Sequence, residues 1–390
     1  MSQADRWQLP EGVEEILPGD ARRLEQLRRK VLDLFHSWGY EQVTPPLVEY
    51  TDSLLIGTER DLEKLTLKVT DQLTGRLMGL RADMTPQIAR MDAHSWCQEG
   101  PSRFSYAGNV LHARPRSLMA NRTPVQVGVE LYGVAGLDGD IEITSLLLDT
   151  LAQVGIEQGH LDLGHVGIYR CLVEEAGLSD SQQNELFDLL QLKASTEVQQ
   201  WLSNNLAGTE SLAWFQSLAQ LSGGREVLEK AREQFAEAPA EIAAAIDELD
   251  VVAEVLAQRY PNTELYFDLS EVRGYHYHSG IVFAAYVPGH GEAVANGGRY
   301  DYIGEVFGRG RPATGFSADL QQLMRLGSDD ESQRGGIFVS GEDAELWAEA
   351  QKLRVQGERV IFALGEDVSS DGCDRQLVKT ESGFEIKPLS

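Results

Sequence analysis

Residues Thr123 to Val134, TPVQVGVELYGV, alternate with period two, a pattern that fits an extended strand and no helix. Val125, Val127, Val129 and Leu131 fall on one face, and Gln126, Gly128, Glu130 and Tyr132 on the other. A chain carrying this segment must build a sheet around it, with the valine face in a core. On the second face an amide and a carboxylate flank a glycine, which makes a notch with hydrogen-bonding walls. Such a notch suits a small polar ligand that bears a cation, for example an amino acid. Taken alone, the strand reads as the wet face of a half-buried sheet.

Other elements follow from spacing. Leu24, Leu27, Val31, Leu34, Phe35 and Trp38 share one helical face from about Ala21 to Trp38, with Asp20 to cap the start and Gly39 to stop the end. Tyr40 to Tyr50 is extended and is interrupted by Pro45-Pro46, which suits an edge or an interface. Leu65 to Val69, a turn over Asp71 to Gly75 and a return over Arg76 to Arg81 read as an antiparallel hairpin. Thr85-Pro86 opens a helix, with Thr85 as cap and Pro86 in the first turn. Strands are expected at Arg103 to Val110, Glu264 to Leu269 and Ile281 to Val287, and helices at about Ile141 to Val154 and Leu320 to Leu326.

The 390 residues leave room for two or three domains. Residues 178–260 lose their β-branched runs and read as a helical insertion in a first domain over 1–326. A polar linker over 327–335 then leads to a small α/β domain at 336–390.

Composition limits the partners. Thirty-four Lys and Arg against sixty-one Asp and Glu give a net charge of −27, which opposes binding to phosphate backbones. The three cysteines are far apart and support neither a disulfide framework nor a Cys-rich zinc site, as in a reducing cytoplasm. The opening residues carry neither a basic nor an apolar run, so no secretion signal is expected, and the apolar run Ile281 to Val287 is strand-sized. A cytoplasmic protein without membrane or nucleic-acid partners is expected.

Two further segments bear on chemistry. LRADMTP (Leu80 to Pro86) ends a strand at a helix start, where Asp83 and the Thr85 hydroxyl would meet a ligand ammonium. EVRGYHYHSG (Glu271 to Gly280) offers the Arg273 fork to a carboxylate and puts His276 and His278 on one strand face. Two histidines without a third ligand are weak grounds for a metal, so a packing or hydrogen-bonding role is preferred and no metal or cofactor is expected. The glycines of ANGGRYD (Ala295 to Asp301) read as a close-packed turn.

In this order, LPEGVEEILPGD, PPLVE (Pro45 to Glu49), LRADMTP, QVGVELYG, EVRGYHYHSG, NGGRYD and ATGFSADLQQL resemble histidyl-tRNA synthetase from the N-terminus to about residue 326. The resemblance implies an α+β, class II aminoacyl-tRNA synthetase-like core. Such a core is an antiparallel sheet of six or seven strands flanked by helices, with a dimer interface at the proline-bearing segment. It also implies a histidine site. Asp83, Thr85 and Gln126 would receive the amine, Glu130 would face the imidazole and Arg273 would lie near the carboxylate. Tyr277 and His278 belong to the segment that reads the imidazole end, with His278 where the family has a tyrosine.

The departures concern ATP. The family's F-R-x-E segment supplies an arginine for the α-phosphate; Asn109 to Pro115 reads NVLHARP, without arginine and glutamate in those places. Where the family has the arginine that stacks on adenine stands Gln322, and Asp319 replaces a glycine. Losing two cations and gaining an anion removes the stabilisation that phosphoryl chemistry requires. A histidine site without ATP clamps resembles the regulatory subunits of ATP phosphoribosyltransferase. That resemblance implies a non-catalytic protein that activates a short-form catalytic subunit in a hetero-octamer, self-associates as a dimer and binds L-histidine for feedback inhibition of histidine biosynthesis. A divergent histidyl-tRNA synthetase, an amino-acid-activating paralogue and a histidine sensor for another partner are the alternatives.

Overall fold

The structure, a computed structural model, describes residues 7–56, 60–115, 120–272, 274–275, 277–328, 335–341, 343–364, 370, 372–381 and 383–389. The chain divides into two units, Met1–Ser328 and Asp329–Ser390.

In chain order the strands of the first unit begin with β1 (Glu41–Gln42), β2 (Val48–Tyr50), β3 (Lys68–Thr70), β4 (Leu77–Leu80), β5 (Ser102–Asn109) and β6 (Val125–Tyr132). They continue with β7 (His160–His165), β8 (Ser222–Gly223), β9 (Glu264–Asp268), β10 (Ile281–Tyr286), β11 (Ala295–Arg299) and β12 (Ala313–Asp319). Nine of them form one sheet in the order β1-β5-β6-β12-β11-β10-β7-β9-β8. Its pairs are antiparallel except β1 with β5 and β7 with β9. The short strands β1 and β8 at its edges take it beyond the six or seven strands expected. The hairpin β3–β4 is present and joins β2 in a separate three-stranded sheet.

The valine face of β6 meets Leu27, Val31 and Phe35 of helix Asp20–Ser37 and Ile143 and Leu147 of helix Leu137–Gln153. The opposite face is not wet: all eight residues of β6 are buried. Tertiary cover, which a single strand cannot reveal, turns the notch into an interior site. Asp20 lies in the first turn of its helix and is not the cap; Gly19 occupies that position with φ 101°. Gly39 ends the helix with φ 85°, a conformation glycine adopts at low cost.

Helices Asp180–Gln191, Ser195–Asn205, Glu210–Leu218, Glu226–Gln234 and Ala240–Arg259 fill the stretch read as helical. Leu186, Leu202, Phe215 and Ile246 from these helices join the same core as the sheet. Their burial therefore anchors them to the sheet, and β8 adds one rung to its edge. Residues Ala295 to Arg299, expected as a turn, are instead strand β11, paired on both sides. The glycines answer to packing within the sheet: a Cβ at Gly297 would come within 2.8 Å of the Phe283 ring and of Phe316 Cα.

The second unit contains β13 (Gly336–Val339), β14 (Val360–Phe362), β15 (Cys373–Thr380) and β16 (Gly383–Pro388), ordered β14-β13-β15-β16. Helix Ala344–Val355 lays Leu346, Ala350 and Leu353 on Ile337, Val339, Val360 and Leu377. The closing hairpin β15–β16 is antiparallel and was not anticipated from the sequence. Among the described residues, no helix is long and apolar enough to cross a membrane.

Candidate functional site

A cavity of about 610 Å3 lies on the sheet face opposite the helices Asp20–Ser37 and Leu137–Gln153. Its floor follows from register. Glu130, Gly315, Gly298, Val282 and Gly164 are successive partners from β6 to β7. The next row runs Gly128, Ser317, Asn296, Ala284 and Asp162. Directly paired residues present their side chains to the same face, so rows of small residues leave a trough.

Glu130 closes one end of the trough and is 1% exposed. Its Oε1 accepts hydrogen bonds from Thr85 Oγ1 at 2.8 Å and Tyr106 OH at 3.0 Å. Its Oε2 accepts from the hydroxyl of Tyr300. Burial pushes the Glu130 carboxyl well above the ordinary carboxylate range; the hydroxyls of Thr85 and Tyr106 oppose that rise, and nearby Asp83 adds to it. A buried carboxylate ringed by hydroxyls is a receptor for a cationic or strongly donating group.

Asp83, Thr85 and Gln126 form one connected cluster. Gln126 Oε1 accepts from the Met84 amide at 3.0 Å, and its Nε2 donates to Asp83 Oδ1 at 3.0 Å. Asp83 Oδ1 also accepts from the Thr85 amide. Asp83 and Thr85 line the cavity, whereas Gln126 stands behind them and holds Asp83 in place. Thr85 is not the helix cap that its position before Pro86 suggests. Met84 takes that place, and the Thr85 hydroxyl goes to Glu130 because the buried carboxylate is the stronger acceptor.

His278 and Tyr277 also line the cavity, with ring centroids 4.1 Å apart. His278 Nδ1 lies 3.1 Å from the carbonyl of Arg299, so it carries the proton and donates. Burial lowers the His278 pKa to about 4, with the Arg299 carbonyl working the other way, and the ring is neutral near pH 7. Arg273 and His276 lie outside the described residues. Among the described residues no group of three or more His, Cys, Asp or Glu is placed to hold a metal.

Four residues of the site were not singled out from the sequence. Tyr106 faces Gly128 across the β5–β6 ladder, so its ring passes over the glycine to reach Glu130. Tyr300 belongs to the NGGRYD segment, but its role depends on β11 delivering it beside β6. Arg170 Nη2 donates to the carbonyl of His278 at 2.8 Å. Asp268, at the far end, pairs with Lys193 at 2.7 Å and accepts from Ser270. Only Tyr300 lay in a motif that could have signalled it.

At the positions linked to ATP, Asp319 caps helix Leu320–Leu326 by accepting from the Gln321 amide at 3.0 Å. The Gln322 amide contacts the His290 ring. Arg325, in the last turn of that helix, pairs with Glu14.

Comparison with known proteins agrees with this architecture. The family model described as histidyl-tRNA synthetase matches residues 12–323, and the model for the ATP phosphoribosyltransferase subunit HisZ C-terminal domain matches residues 334–387. The chain is 52% identical to the ATP phosphoribosyltransferase regulatory subunit of Teredinibacter turnerae, over 100% of both chains. It is 53% identical to that of Cellvibrio japonicus, over 100% of this chain and 98% of the relative. A crystal structure titled as an ATP phosphoribosyltransferase regulatory subunit/histidyl-tRNA synthetase from Bacillus halodurans superposes with a TM-score of 0.82 at 26% identity. That match covers 93% of this chain and 94% of the other. Histidyl-tRNA synthetase from Nostoc, 18% identical, has a TM-score of 0.79 over 96% of this chain and 91% of its own, and so shares the fold. With a synthetase-like body and the C-terminal domain of the regulatory proteins, the chain belongs to the ATP phosphoribosyltransferase regulatory subunit family.

Proposed function

We propose that the chain is a non-catalytic histidine sensor. It binds L-histidine in the cavity beside Glu130 and activates a short-form ATP phosphoribosyltransferase catalytic subunit, which carries out the transfer. The observation that carries this reading is the buried Glu130 carboxylate, held by three hydroxyls at the closed end of a cavity that also presents Asp83 and Thr85. Asp83 and Thr85 would meet the ligand ammonium, with Gln126 orienting Asp83. Glu130, Tyr277 and His278 would read the ring, and Arg273 remains the expected partner of the carboxylate.

Gln322, where the resemblance expects an arginine, and Asp319, an anion where it expects a glycine, favour a silent site over an aminoacylating one. The net charge of −27 argues against a tRNA partner. In this reading the protein works in the cytoplasm, as a dimer within a hetero-octamer. Feedback then follows from linkage: histidine inhibits because one state of the assembly binds it more tightly than the other.

The test is Glu130→Ala in the complex assembled with the catalytic subunit. Histidine inhibition is expected to disappear while assembly and activation persist. Loss of assembly would make Glu130 a structural carboxylate instead. Histidine-dependent ATP–pyrophosphate exchange by the isolated chain would overturn the non-catalytic reading.

A further inference from the structure

Among the described residues, the helical stretch 178–260 lines no part of the cavity, yet two of its side chains hold the segment that does. Residues 268–278 leave β9 and supply Asp268, Glu271, Tyr277 and His278 to the cavity wall. Phe187, on helix Asp180–Gln191, and Lys193, in the turn after it, both reach this segment from outside.

Lys193 makes the first hold. It has φ 49°, a left-handed conformation that glycine adopts at no steric cost and lysine does not. Its amide donates to the Leu190 carbonyl at 2.9 Å, and the Ala194 amide donates to that of Leu189 at 3.1 Å. These are the paired bonds of a helix stop whose left-handed position is usually glycine. Stopping the helix therefore needs no lysine. What lysine adds is its Nζ, which donates to Asp268 Oδ2 at 2.7 Å. The Asp268 side chain is 4% exposed, and its Oδ1 accepts from the amide and the hydroxyl of Ser270. The ion pair thus sits where the segment leaves the sheet, and the Leu269 amide adds a bond to the Leu221 carbonyl at 3.0 Å.

Tyr275 makes the second hold. Its ring meets Tyr169 edge-on at 4.9 Å between centroids and lies 6.1 Å from Phe187. Tyr169 belongs to helix Val166–Glu175, and its hydroxyl donates to the Gln183 carbonyl, which ties that helix to Asp180–Gln191. Arg170, the next residue, donates to the carbonyls of Tyr275 and His278.

We infer that the helical insertion is the clamp of the cavity wall, with Lys193 and Phe187 as positioning residues. Lys193 acts through Asp268 and Phe187 through Tyr275, and together they fix the backbone that presents Glu271, Tyr277 and His278. The inference rests on the histidine reading above and gives the insertion a role in it: the insertion sets the affinity of a ligand it does not touch.

The experiment compares the full-length wild-type chain with Lys193→Gly, Lys193→Arg and Phe187→Leu, by amide hydrogen exchange and by calorimetric titration with L-histidine. Lys193→Gly removes the backbone penalty together with the ion pair, so its melting temperature should stay close to that of the wild type. Exchange over residues 269–280 should rise about tenfold in Lys193→Gly and Phe187→Leu while β6 and β12 stay protected. Histidine affinity should fall about tenfold in the same two variants, the loss expected when one charge-assisted or packing contact no longer orders the wall. Lys193→Arg keeps the cation and should retain both properties. Unchanged exchange over 269–280 would overturn the clamp, and raised exchange with unchanged affinity would overturn the positioning role. A wild-type chain that binds no histidine would overturn the histidine reading instead, and the exchange data would still decide the clamp.

Discussion

The guanidinium of Arg299 donates to the carboxylate of Asp140 at 2.9 Å, joining residues 159 positions apart in the chain. Both side chains are buried, at 9% and 1% exposure. Arg299 also donates to the carbonyls of Val134 and Gly136, and its own carbonyl accepts from His278. One ion pair therefore fixes the backbone from which the ring of His278 is hung.

Asp140→Ala should destabilise the protein by up to about 3–5 kcal/mol, because it removes the buried carboxylate of the pair and leaves the guanidinium to the more exposed Asp301, 3.1 Å away. Urea unfolding checks this. The double variant Asp140→Leu with Arg299→Met should recover much of the loss, since it removes both desolvated charges. A single variant that unfolds at the wild-type urea concentration would show that the pair contributes nothing.

Acid should weaken the fold through His278. Its pKa is 6.5 when unperturbed and about 4 in the folded chain, so the unfolded chain binds more protons between those values. Stability is then fully present above pH 6.5 and is lost as pH falls toward 4, by about 3 kcal/mol at most. Glu130 acts with the opposite sign: its carboxyl is raised in the fold, so its contribution declines as pH rises above the ordinary carboxylate range. Urea midpoints at pH 7 and 4.5 should therefore differ less in His278→Phe than in the wild-type chain. An identical difference in both proteins would remove His278 as the cause.

Gly315→Ala should cost about 1–3 kcal/mol and abolish the proposed histidine binding, because the added methyl would collide with Glu130 and the Tyr300 hydroxyl. Thermal unfolding and calorimetry report the two effects separately. Retained affinity would mean that the carboxylate and phenol can shift without harm to the site.

The sequence by itself determined the elements whose signal is local. Apolar spacing marked the helix at Asp20–Ser37, period two marked β6, and turn chemistry marked the hairpin β3–β4. The order of motifs also led to the family, because a series of short segments specifies a fold more tightly than any one of them.

Only the tertiary structure decided what those segments do. Period two put Glu130 and Gln126 on one face but left that face looking wet; cover by residues distant in sequence, Tyr106 and Tyr300 among them, made it an interior. The turn expected at Ala295–Arg299 became a strand because its glycines allow close approach of Phe283 and Phe316. Thr85 read as a helix cap until Glu130, 45 residues away, claimed its hydroxyl. Periodicity along a chain reports which way a side chain points. What it meets there depends on contacts that only the folded sheet brings together.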